Sequence, residues 1–197
     1  VKLGTDKGKG LIPDQALANA ISRRFNLMYN NSSLSSIIYG GIFMALTILF
    51  TYVFAIQTTF IRVDFAFIPI CLYAMRFGTT KTIIMSALAD IIGSNLFMPG
   101  LYFPGFTISA IASSFIYGKF LYKKTITLKK LLLMNLTIFL FVDCILNNIW
   151  LTLMYKDAAT SFYIMRIVKS VLLLPIKAAI LYNIYKPLRY FILKYNN

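Results

Sequence analysis

Five ionisable side chains, Asp90, Asp143, Arg166, Lys169 and Lys177, fall inside long apolar stretches of this 197-residue chain. A charge at the centre of a bilayer is expensive, so each of the five needs a partner or a task. Asp143 and Asn147 stand at i, i+4, which puts them on one face of a helix, and Trp150 lies one turn further along the same stripe. Arg166 and Lys169 are neighbours at i, i+3. Close by in sequence, the stretch LYFPGFTISA supplies Tyr102, Phe103 and Phe106, with Phe97 just before it. Carboxylates that accept paired N–H donors, cations that hold anions and flat rings that stack make up a small-molecule pocket. Two plainer readings stand beside it. The ions pair with one another and hold helices together, or Tyr102 and Phe103 belong to an aromatic belt at headgroup level.

Catalytic sets are missing from the sequence. Histidine is absent, which excludes Ser/His/Asp and Cys/His arrangements, and there is no Gly-rich phosphate loop with its Lys. Cys71 and Cys144 both fall within apolar spans, so neither a disulfide framework nor a metal-ligand spacing is indicated. The expectation is therefore no catalytic residue, no metal and no cofactor. Any ATP-driven work must draw its nucleotide site from another subunit.

The elements that position these residues follow from composition. With 59% hydrophobic residues and a mean hydropathy of +0.74, the chain reads as an integral membrane protein. Apolar runs are expected at about Leu34 to Ile56, Phe65 to Phe77 (short unless it starts near Phe60), Thr79 to Phe97, Phe106 to Tyr122, Leu128 to Tyr155 and Ala158 to Tyr185. Helices of ~1.5 Å rise per residue cross ~30 Å of hydrocarbon over such lengths. The predicted fold class is all-α, a polytopic membrane protein with a bundle of six transmembrane helices. Residues 1–33 read as a cytoplasmic N-terminal segment and 34–197 as the membrane domain. The first twenty residues fit poorly with the rest of the chain, as a vector-derived remnant would. No cleavable signal is visible, so the first apolar run is expected to stay as an anchor.

The formal charge of +14 would suggest nucleic acid in a soluble protein, but its placement argues otherwise. Lys and Arg crowd the N-terminal segment, the connection at Arg76 and Lys81, the connection from Lys119 to Lys130, and the C-terminal end. The alternate connections carry only Arg62 and Lys156. This asymmetry predicts both termini on the cytoplasmic side and no nucleic-acid partner. Pro99-Gly100 and Pro104-Gly105 are read as turns in an outer loop. Pro69 and Pro175 are expected to break helical hydrogen bonds and kink their spans. Gly41 and Ala45, at i, i+4 in the first span, make a small-residue stripe that lets another helix approach closely.

ADIIGSNLFMPGLYFPGFTISAIASSFIYG (Ala89 to Gly118), NNIWLTLMY (Asn147 to Tyr155), RIVKSVLLLPI (Arg166 to Ile176) and FAFIPICLYAMRFG (Phe65 to Gly78) together resemble a known family. It is that of the substrate-binding S components of energy-coupling factor (ECF) vitamin transporters, and within it the folate-binding ones. The resemblance implies a six-helix membrane subunit that captures vitamin outside the cell. It also implies docking, through small residues matching Gly41 and Ala45, onto a transmembrane coupling protein served by two ATPases. Folate suits the residues already named. On this reading Asp143 or Asp90 meets the pterin edge, while Arg166, Lys169 or Arg62 meets the carboxylates of the glutamyl tail. Trp150 with Phe103 or Phe106 lines the pocket.

Three rivals remain at the level of sequence. The same architecture would serve another cargo, riboflavin or pantothenate. A small membrane enzyme would use Asp90 and Asp143 as acid and base. A structural scaffold would bind nothing saturably.

Overall fold

The computed structural model describes residues 32–57, 62–97, 102–155 and 158–194, with positions 17 and 21 besides. Two units are distinguished, Val1–Ile38 and Tyr39–Asn197. The first contributes the opening turns of the first helix; the second holds the remaining elements.

Helix α1 (Ser32–Ile48) runs on through a π-helical turn, Leu49–Val53. In hydrocarbon a hydroxyl must find a partner within its own segment, and here Thr47 and Thr51 donate to the carbonyls of Phe43 and Thr47, each at 2.7 Å. A two-residue antiparallel ladder follows, β1 (Ile56–Gln57) paired with β2 (Arg62–Val63), with Ile56 opposite Val63 and Gln57 opposite Arg62. This ladder was not visible in the sequence.

Helix α2 (Phe67–Phe77) is eleven residues long and starts well after Phe60, so the helix proper covers only about 16 Å. Pro69 does not kink it. It sits in the first turn, where its missing N–H forfeits no intrahelical bond. The helix stops at Gly78, whose amide donates to the Ala74 carbonyl at 3.2 Å, and α3 (Thr79–Phe97) begins on the next residue. Gly78 has φ 86° and ψ 177°, a region only glycine occupies without strain, and a Cβ there would meet the Tyr122 ring at 3.3 Å. Gly78→Ala is accordingly expected to destabilise the protein by about 1–3 kcal/mol. A thermal melt in detergent that leaves the midpoint unmoved would contradict this.

Helix α4 (Pro104–Leu121) begins earlier than expected. Pro104-Gly105 is no free-standing turn, because Pro104 opens the helix where a proline is tolerated best. α3 and α4 meet along small residues. Ser114 donates to Ser86 across the seam at 2.6 Å, and a Cβ on Gly118 would come within 2.5 Å of the Thr79 Cα. In lipid such close backbone approach, with its dispersion contacts and hydroxyl bonds, is what holds two helices together.

Helix α5 comprises an α-helical start (Leu128–Ile138), an eight-residue π-helical segment (Phe139–Leu146) and an α-helical end (Asn147–Tyr155). Helix α6 (Ala158–Lys194) has 37 residues and outruns its expected end near Tyr185, with Pro175 and Pro187 both inside it. The core lies where α2, α4, α5 and α6 converge, around Cys71, Met75, Leu121, Leu131, Met134 and Leu181.

These six helices make the chain an all-α polytopic membrane protein, with the ladder the one departure among the described residues. Leu34–Val53, Leu128–Met154 and Ile167–Leu188 are long and apolar enough to cross a bilayer by length and composition alone. α3 and α4 have 19 and 18 residues, enough for a crossing, but their polar residues dilute the hydropathy. Large apolar side chains such as Leu153, Leu172 and Phe141 remain exposed, as expected of a surface that meets lipid rather than water.

Candidate functional site

The first cluster is organised by the beginning of α4. Phe103 is extended (φ −125°, ψ 120°) and its carbonyl accepts the Phe106 amide at 3.1 Å, which launches the helix. Thr107 is buried, and its hydroxyl donates to Asp90 Oδ2 on α3 at 2.7 Å. With that proton committed, the Tyr102 hydroxyl, 3.1 Å away, donates to Thr107 Oγ1. Tyr102 is thus bound into a relay ending on a carboxylate, which a ring merely floating at headgroup level would not be.

On the other side of α4, Trp150 Nε1 donates to Ser109 Oγ at 3.1 Å. The Trp150 ring lies 5.9 Å from that of Phe103, and Phe103 meets Phe106 edge-on at 6.0 Å. Gly105 makes this possible: a Cβ there would sit 2.6 Å from Trp150 Cδ2. The aromatic wall therefore closes directly onto backbone. Further out, Tyr52 stacks on Phe97 at 5.2 Å and 10°, over Gly93, where a Cβ would meet the Tyr52 ring at 2.5 Å.

The second cluster is carried by the π-helical part of α5. Asp143 lies within it, and Asn147 Nδ2 donates to Asp143 Oδ1 at 3.3 Å, so the expected i, i+4 neighbours do touch. The Asn147 carbonyl oxygen is buried with no protein partner, an acceptor left for something else. From α6, Ser170 faces the same carboxylate, and Lys169 and Lys177 lie within electrostatic reach of it. Lys177 also stands 5.5 Å over the Phe67 ring of α2. Asp143 and Ser170 border a cleft of about 20 Å³ with Phe139, Cys144, Asn148 and Ile167, room for roughly one water.

Of the residues singled out in the sequence, the structure joins Asp90 with Tyr102, Phe103 with Phe106 and Trp150, and Asp143 with Asn147 and Lys169. Arg62 is in β2 and Arg166 in α6, but their side chains lie outside the described residues, as does the Pro99-Gly100 pair. Gly41 and Ala45 are on α1; Gly41 is exposed, and a Cβ on it would meet nothing within 4 Å. Thr107, Ser109, Ser170 and Gly105 were missed. Hydroxyls are common in apolar helices, and only the spacing of Thr107 from Tyr102 hinted at a role.

The helices thus carry two polar clusters, one joining Asp90 to a wall of rings and the other setting Asp143 among Asn147, Ser170, Lys169 and Lys177. Comparison with known proteins makes this specific. Residues 31–189 match the family model of the ECF-type riboflavin transporter, S component. A protein of Clostridium novyi (strain NT) named "Folate transporter FolT" is 37% identical over 149 residues, covering 76% of this chain and 87% of that protein. A solved structure described as "Crystal structure of FolT bound with folic acid" superposes with a TM-score of 0.71 at 36% identity, covering 76% of this chain and 91% of the other. The chain belongs to the ECF-type transporter S components. It is therefore a transport subunit of the membrane and not an enzyme, which removes the acid–base reading of Asp90 and Asp143.

Proposed function

We propose that this chain is the folate-binding subunit of an ECF-type importer. The observation that carries the reading is the likeness, over three quarters of the chain, to a folate transporter and to a structure holding folic acid. The local chemistry supports it. A pterin edge presents adjacent N–H donors that a carboxylate accepts, from Asp143 or Asp90, and the buried Asn147 carbonyl is a further acceptor beside the former. The pterin faces stack against Trp150 and Phe103. The anionic tail is held by Arg166, Lys169 or Arg62. The cleft beside Asp143 has room for about one water, so the pterin lies against the Phe103 and Trp150 rings rather than within it.

The description of the matching family model favours riboflavin as the second reading. Calorimetry of the detergent-purified protein against folate, riboflavin and pantothenate separates the two. Folate is expected to bind saturably and neither competitor to displace it. Saturable riboflavin binding with no folate signal would replace this reading.

The positive-inside pattern places both termini in the cytoplasm, residues 1–33 with them and 34–197 as the membrane domain. In support, the two basic corners lie together: Gly78 between α2 and α3 abuts Tyr122 at the end of α4, and Gly118 abuts Thr79. Arg76, Lys81, Lys119 and Lys123 thus flank one side.

The partners are a transmembrane coupling protein and two ATPases. The docking face is on α1, where two adjacent glycines have different tasks. A Cβ on Gly40 would press on the Tyr73 hydroxyl at 3.2 Å, while Gly41 turns outward to open space with Ala45 one turn along. Gly41→Leu is expected to leave folate affinity unchanged and to reduce co-purification with the coupling module about tenfold or more, by blocking close backbone approach. Undiminished co-purification would move the docking face elsewhere.

A further inference from the structure

A groove of about 570 Å³ runs between α3, α4 and α5 and shares no lining residue with the cleft at Asp143. Ile83, Ile108, Ile111, Ala112, Phe115 and Ile116 form much of its wall, with Thr137, Phe141, Ile145 and Leu146 from α5. Thr137 is the one residue there with a side-chain polar group, and its hydroxyl donates to the Leu133 carbonyl of its own helix at 2.8 Å, leaving the groove without a free polar atom. Positions 108, 111, 112, 115 and 116 form one helical stripe, and position 119 is its next member. That residue is Lys119, exposed, its ammonium 5.5 Å over the Phe115 ring that lines the groove. An apolar channel about 16 Å long from Ile108 to Lys119 thus ends on a cation. Lys123, Lys124, Lys129 and Lys130 follow closely, and no Asp or Glu occurs anywhere from residue 91 to 142 to neutralise them.

We propose that this groove is a site for one anionic phospholipid, an acyl chain lying along the isoleucines and Phe115, the headgroup phosphate on Lys119. Any bilayer lipid would cover the apolar wall, but only an anionic one satisfies the cation at its end, and such pairing near a membrane surface is worth about 1 kcal/mol per Lys.

The test is native mass spectrometry of the full chain released from nanodiscs containing equal phosphatidylglycerol and phosphatidylcholine. Phosphatidylglycerol is expected to be retained over phosphatidylcholine by about fivefold, the equivalent of that single contact. Lys119→Gln should abolish most of the preference, whereas Lys124→Gln, in the loop off the stripe, should leave it. Ile111→Trp, which fills the groove, should lower retention of both lipids. Equal retention of the two by the parent protein overturns the proposal. So does an equal loss with Lys119→Gln and Lys124→Gln, which would mean general attraction to a basic surface. Lys119→Gln is a surface change, so the outcome does not depend on Ile111→Trp folding.

Discussion

Trp150→Ala is expected to weaken folate binding by about 2 kcal/mol, roughly thirtyfold, while the protein stays folded. The ring does three things at once in the structure. It presents a stacking face beside Phe103, it donates to Ser109 Oγ at 3.1 Å, and it packs on the bare backbone of Gly105. An aromatic pair contributes about 0.5–1.5 kcal/mol beyond the area it buries, and removal of the indole also lets the Phe103 wall relax. Trp150→Phe should recover the stacking but not the hydrogen bond, so it should fall between the two. Calorimetry on the three proteins gives the order. If Trp150→Ala binds folate as the parent does, the pterin lies elsewhere in the helices.

The double change Arg166→Ala with Lys169→Ala should cost folate about 2–4 kcal/mol while affecting pteroate, which lacks the glutamyl group, much less. Removing the cations that meet a desolvated carboxylate leaves the anion buried without a partner, and that penalty dominates. Lys169 also lies within electrostatic reach of Asp143, and that interaction has to be separated from any with the ligand. A purely structural part for Lys169 would weaken folate and pteroate equally, so the ratio of the two affinities is the readout. An unchanged folate affinity would remove both residues from the tail site.

Much of the architecture was legible because lipid imposes strong rules. The lengths of the apolar runs gave the six helices, and α5 begins and ends at the residues expected, Leu128 and Tyr155. What the sequence hid was local geometry. The stripe of Asp143, Asn147 and Trp150 was read with a 3.6-residue period, yet Asp143 sits in a π-helical segment, which no residue type announces. Pro104-Gly105 has the composition of a turn, but its proline serves as the first residue of a helix and its glycine as a seat for Trp150. α3 and α4 look too polar for membrane helices because Asp90, Thr107 and Ser109 are committed to bonds between helices, Thr107 to Asp90 and Trp150 to Ser109. The hydroxyls that orient Asp90 and Trp150 could not be told apart in the sequence from Thr51, which bonds back to its own helix.

The seam between α3 and α4 has a bearing on how cargo crosses. Ser86 with Ser114, and Gly118 on Thr79, weld the halves of these helices nearest Gly78 at distances that leave no slack. Parting them would strand the Ser114 hydroxyl in oil, since Ser86 keeps its bond to the Ile83 carbonyl, and would forfeit the dispersion contacts along their spines. A molecule so fastened at one end can loosen at the other, where Tyr102 and Phe103 sit.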